Sequence, residues 1–233
     1  MSPPRPATLN GVPVPHDAPL EELLEQMRAE APACGPAFIA LGCRSDPQAF
    51  FALLEATKEQ DWQKRRLAAA ALRFHPMGKR ALPALELLVT DEVPQVACTA
   101  CETMGELGLM SERLIYLLQL TDPKVRAAAL TALTRLGQRQ LFSYVLKVFE
   151  RETFPEPREA AAAFLMQFAD ESNWRELFRC WSRDVQPVMR ARACALANRF
   201  ATADDLDLVN DLLEDKDPAV RKAAYEVIVK MGS

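Results

Sequence analysis

Cys98-Thr-Ala-Cys101 is the tightest pairing of chemically capable side chains in the sequence. A CxxC pair does redox chemistry at a helix start, where free amides lower the thiol pKa, and binds zinc when further ligands complete the set. Here the pair falls in the middle of a helical pattern and no second CxxC follows. The only histidines, His16 and His75, are far apart. The two thiols therefore read as small helix-packing side chains. No nucleophile, base and orienting group can be assembled elsewhere, so the expectation is no catalytic residue, no metal ligand and no cofactor.

Aromatic and basic residues suggest a second chemistry. Trp62, Trp174 and Trp181 accompany two basic stretches. One carries Lys58, Lys64, Arg65, Arg66, Arg73, Lys79 and Arg80. The other carries Arg175, Arg179, Arg183, Arg190, Arg192 and Arg199. Clustered cations are what phosphate contacts need. Between them lie Glu86, Asp91, Glu92, Glu102, Glu106 and Glu112, which would repel a duplex, and the net charge of -4 argues against bulk nucleic-acid affinity. Trp174 and Trp181 are seven residues apart, a spacing that puts them in a core or on a convex face.

The elements that must position these groups come from one recurring segment. Asp122–Gly137 reads DPKVRAAALTALTRLG and returns as DPAVRKAAYEVIVKMG at Asp217–Gly232. Asp122 and Asp217 suit a helix N-cap, and Pro123 and Pro218 follow at the first helical position. Val125, Ala128, Ala129, Ala132, Leu133 and Leu136 share one helical face. Gly137 and Gly232 suit a left-handed stop. Arg126, Arg158, Arg190 and Arg221 recur at intervals of 32, 32 and 31 residues. From Asp46 onward about six helical hairpins follow one another, and a helix pair per period of about 30 residues signals an α-solenoid.

Upstream, residues 1–19 are proline-rich and read as a flexible or extended arm. Leu20–Arg28 is an amphipathic helix that caps the array. Ala31–Cys43, broken by Pro32, Gly35, Pro36 and Gly42, reads as a loop with at most one short helix. Residues 20–233 form a single repeat domain. Six cysteines in a chain long enough to bury a core indicate reduced thiols. No secretory pattern opens the sequence, and no apolar run reaches the roughly 18 residues of a membrane span. The expected compartment is cytoplasmic.

The pattern Asp-Pro-x-Val-Arg-x-x-Ala-x-x-x-Leu, with apolar first helices such as LPALELLV and LIYLLQL, resembles the HEAT repeat, in the short form of phycobilisome-lyase-type proteins. The resemblance covers Asp46 to Gly232. It implies an all-α right-handed superhelix, an Asp–Arg hydrogen-bonded ladder between repeats, and second helices lining a concave face. Val93 and Gln95 stand for the Asp and Arg in the second repeat, which would interrupt the ladder. The paired His-Glu motifs of deoxyhypusine-hydroxylase-like relatives are absent.

Function is expected where the copies differ. The partner-binding candidates are Arg66, Arg73, Glu102, Glu106, Arg135, Gln167, Arg190, Asn198, Arg199 and Lys230. Their mixed charge suits a protein or peptide partner on a non-catalytic scaffold. Two alternatives stay open: a phycobilin-lyase-like enzyme or accessory, and a HEAT-like DNA-alkylation glycosylase. The partner and oligomeric state are not written in the sequence.

Overall fold

The computed structural model describes residues 6–120 and 122–231. A two-stranded antiparallel hairpin comes first, β1 (Thr8–Leu9) and β2 (Val12–Pro13). Asn10 and Gly11 join the strands with φ of 51° and 82°, the left-handed values that a two-residue hairpin turn demands. Fourteen α-helices follow among the described residues. In chain order they are α1 (Leu20–Gln26), α2 (Gly35–Gly42), α3 (Pro47–Ala56), α4 (Trp62–Leu72), α5 (Leu82–Leu88), α6 (Pro94–Leu107) and α7 (Glu112–Tyr116). Then come α8 (Pro123–Arg135), α9 (Phe142–Arg151), α10 (Pro155–Phe168), α11 (Trp174–Trp181), α12 (Pro187–Phe200), α13 (Leu206–Asn210) and α14 (Pro218–Met231). The all-α expectation is met.

Local chemistry sets the starts and stops. Asp122 Oδ1 accepts from the Lys124 and Val125 amides at 2.8 and 3.2 Å, and Asp61 and Asp217 cap α4 and α14 in the same way. Proline opens α3, α6, α8, α10, α12 and α14, where a missing N–H leaves no helical bond unmade. Gly108 and Gly137 end α6 and α8 with φ near +70° (71° and 69°). The matching Gly232 lies outside the described residues.

By contact the chain divides into two compact units, Met1–Gln138 with Glu152–Ala160, and Arg139–Arg151 with Ala161–Ser233. In the first, α2, α4, α6 and α8 stack side by side, and α3, α5 and α7 each pack on the helix that follows. A Cβ on Gly42 would lie 2.4 Å from the Ala71 carbonyl oxygen, and one on Gly105 would lie 3.1 Å from Ala132 Cα. Glycine and alanine thus let these axes close to the short end of the usual 8–10 Å. In the second unit α12 packs on α14, α11 on α12 and α13 on α14. Trp174 and Trp181 are fully buried there, and Trp181 sits 5.9 Å from the Phe149 ring.

The N-terminal region is packed. The one short helix allowed for within Ala31–Cys43 is α2: Pro36 sits in its first turn, and Ala37–Leu41 are buried. Its glycines mark close approach to neighbours instead of helix breaks. α1, the N-terminal cap helix, packs on α2. The described part of the N-terminal arm is patterned: Val14 is buried, and a Cβ on Gly35 would fall 2.8 Å from Leu9 Cδ2. Leu9 thus packs over the bare backbone of α2, and His16 Nε2 lies 2.8 Å from the Pro6 carbonyl oxygen.

Candidate functional site

The ladder differs from the expected Asp–Arg pairing. The aspartates of the Asp-Pro steps cap their own helices. The arginines instead reach an acid two residues ahead of the next second helix's N-cap. Arg65 clasps Asp91, Arg126 clasps Glu152 and Arg190 clasps Asp215, each through Nε and Nη2 at 2.6–2.9 Å. The spare Nη1 donates backward to loop carbonyls: Glu59 and Gln60, Leu120, and Asp184 and Val185. Each acid also accepts an amide two residues on, from Val93, Phe154 and Asp217. Bidentate geometry and full satisfaction make these structural pairs.

The missing rung is at Ala97, not Gln95. Pro94 and Pro123 both open their helices, so Ala97 holds the place of Arg126. Leu120 holds the matching acid place, so both ends of that rung are apolar together. Arg65 is a rung arginine that the interval of about 30 residues did not reveal.

Arg190 is thereby removed from the exposed candidates. It is a rung, with only 15% of its side chain accessible. The remaining candidates separate by unit. In the first, Arg73, Glu106 and Arg135 meet at the C-terminal ends of α4, α6 and α8. Glu106 Oε1 lies 3.2 Å from Nη1 of both arginines. Arg73 also stacks over Phe74 at 5.0 Å, and its Nε is buried with no hydrogen-bond partner among the described residues.

Beside this cluster is a groove of about 250 Å³ between the N-terminal hairpin, α2, α4 and α6. Arg66, Arg73 and Glu102 line it with Gln63, Thr99 and Asn10, over an apolar floor that includes Ile39 and Leu67. The sequence candidates supply its charge. The sequence reading missed Asn10 and Gln63, although Asn10-Gly11 is a strong short-range hairpin signal.

In the second unit, Asn198 and Lys230 line a smaller cleft of about 230 Å³ between α12 and α14, and Lys230 Nζ donates to the Asn198 carbonyl. Arg199 is exposed over the Phe200 ring at 4.7 Å, and Gln167 is exposed on α10. Of the small residues expected on this face, Cys101, Leu130, Ala162 and Cys194 are buried.

The other chemistries find little purchase. Burial pushes the Cys98 thiol up to about 11, helped by Asp122 and Glu102, and pushes Cys101 higher still. Such thiols are poor nucleophiles and poor ligands at neutral pH. Among the described residues no group of three His, Cys, Asp or Glu side chains could hold a metal ion. Several cations of the basic stretches are taken up in ion pairs: Lys58 with Glu55, Arg65 with Asp91, Arg175 with Asp205 and Arg190 with Asp215. Trp174 and Trp181, buried as expected, offer no stacking platform for bases. No described helix is long and apolar enough to cross a membrane.

Stacked helical hairpins, joined by charge rungs and exposing variable second-helix side chains, define an all-α helical-repeat protein. Residues 111–195 match the family model of HEAT repeats. No curated protein matches the sequence. Among solved structures, the chain is similar in fold to the complex of CpcE and CpcF of phycocyanin lyase from Nostoc sp. PCC7120. That match has a TM-score of 0.55 and 17% identity, over 96% of this chain and 92% of that one. Human deoxyhypusine hydroxylase in complex with glycerol aligns at a TM-score of 0.43 and 15% identity, over 91% and 85% of the two chains. An engineered protein aligns at 0.43 and 16%, over 91% and 96%.

Proposed function

We propose that this chain is a non-catalytic scaffold that binds an extended segment of a partner protein on its second-helix face. The contact strip in the first unit is Arg66, Arg73, Glu102, Glu106 and Arg135. One observation carries the reading: Arg73 lines the groove and also joins the Glu106–Arg135 cluster. Charged side chains therefore run without a break across three stacked helices. At about 8–10 Å per helix the strip spans roughly 20 Å, longer than a small ligand and suited to a chain. The sign alternates from helix to helix, Arg73, Glu106, Arg135, and an alternating row sets register as well as affinity. None of the cysteines forms a disulfide, which supports a reducing, cytoplasmic setting.

Affinity capture from the native cell tests the reading, using Glu106→Arg and Arg135→Glu. Both positions are partly exposed, so the fold tolerates them. A captured partner that disappears with both variants supports the face; retention at the wild-type level by both sinks it. Arg190→Glu is unsuitable because it breaks a rung. The alternative, a bilin-lyase-like enzyme or accessory, draws on likeness of fold alone, and bilin absorbance after co-expression is its test.

A further inference from the structure

Arg66 and Glu102 stand on adjacent helices, α4 and α6, and line the same groove. Neither forms an ion pair with the other or with any further described residue, whereas Arg65, Arg73, Glu106 and Arg135 are paired. The Trp62 ring lies 5.9 Å from the Arg66 guanidinium carbon. The groove thus presents one cationic wall and one anionic wall, unbridged. On its rim Asn10 and Gln63 present side-chain amides that make no hydrogen bond among the described residues. Each such amide offers a donor and an acceptor, the complement of one peptide unit. Between the walls, Ile39 and Leu67 form an apolar floor, and displacing water from it strengthens any charge contact above.

We propose that this groove receives an extended peptide whose neighbouring side chains carry opposite charge, an acidic residue toward Arg66 and a basic one toward Glu102. The inference rests on the scaffold reading and names the partner segment's chemistry. In an extended chain successive side chains point to opposite sides, so adjacent residues of opposite sign address the two walls at once. The peptide units then fall within reach of the Asn10 and Gln63 amides. A segment of one sign meets attraction at one wall and repulsion at the other, which is how such a site rejects the wrong sequence.

The test is fluorescence anisotropy of the full chain with three labelled hexapeptides: alternating glutamate and lysine, hexaglutamate, and hexalysine. For the wild type, the alternating peptide binds about tenfold tighter than either homopolymer. Arg66→Glu moves the preference to hexalysine, and Glu102→Arg moves it to hexaglutamate. Both side chains are exposed, so neither variant threatens folding, and a merely structural role would not invert a preference. Peptide binding that ignores both substitutions overturns this assignment and leaves the scaffold reading standing. Failure of all three peptides to bind the wild type also overturns the assignment, while the scaffold reading falls only with the capture experiment on Glu106 and Arg135. Displacement of the alternating peptide by equimolar succinate also overturns the assignment, in favour of a small anion.

Discussion

Arg126 holds Glu152 through two parallel hydrogen bonds, Nε to Oε2 at 2.7 Å and Nη2 to Oε1 at 2.9 Å, with both side chains under a tenth exposed (9% and 5%). Removing one partner of such a pair strands a buried charge and costs about 3–5 kcal/mol, whereas an apolar pair of similar volume is often nearly neutral. The molecule already holds that replacement at Ala97 and Leu120. Arg126→Ala alone should therefore lower the urea midpoint far more than Arg126→Ala combined with Glu152→Leu. Equal losses in the two variants would show that the rung is not the coupled unit described. The rung is also acid-sensitive. Burial pushes Glu152 up, but the Arg126 hydrogen bonds and the Phe154 amide outweigh it and hold the carboxyl below its ordinary 4.5. Its stabilisation is complete above about pH 4.5 and is lost as pH falls through the folded value.

Ala129 has no exposed surface and faces the packed interior of α8. Ala129→Glu forces a carboxylate into that buried space, and a loss of roughly 3–5 kcal/mol is expected. Thermal melting checks this, and an unchanged transition would refute the placement.

His75 is buried, accepts the Met77 N–H at Nδ1 (3.0 Å) and points Nε2 at the Asp46 carbonyl (3.3 Å). That arrangement uses the neutral ring, with the proton on Nε2. Burial lowers its pKa from 6.5, against the Asp46 carbonyl bond. The unfolded chain then binds a proton that the folded chain refuses. Stability is full above about pH 6.5 and declines as pH falls from there toward the folded value. Melting temperature should drop between pH 7.5 and 5.5, and His75→Asn should flatten that slope. A slope unchanged in the variant would assign the effect to other groups.

The thiols divide by burial. Cys34, Cys101 and Cys194 are nearly inaccessible, while Cys98 is partly exposed with its pKa near 11. Labelling followed by mass spectrometry should leave the three buried thiols unmodified until the protein unfolds. The rate at Cys98 should climb about tenfold per pH unit from 7 to 10. Rapid labelling of Cys98 at pH 7 would contradict the buried, inert reading.

Glu106 shows how far sequence reasoning reached. Its exposed position on a second helix followed from register alone, as did those of Arg73 and Arg135. That all three share one contact did not, because each sits on a different hairpin and their approach depends on how closely α4, α6 and α8 stack. The Asp-Pro starts, the glycine stops and the alternation of helix pairs were legible because caps, proline and glycine act within one turn of their own position. The extent of α2 was not legible because its glycines look like breakers locally, yet they serve contacts with Leu9 and Ala71, distant in the chain. The rung acids, the Leu9 dock on α2 and the groove between Arg66 and Glu102 were settled only by packing. Each joins residues about 25 or more positions apart, and no local propensity carries information over that separation.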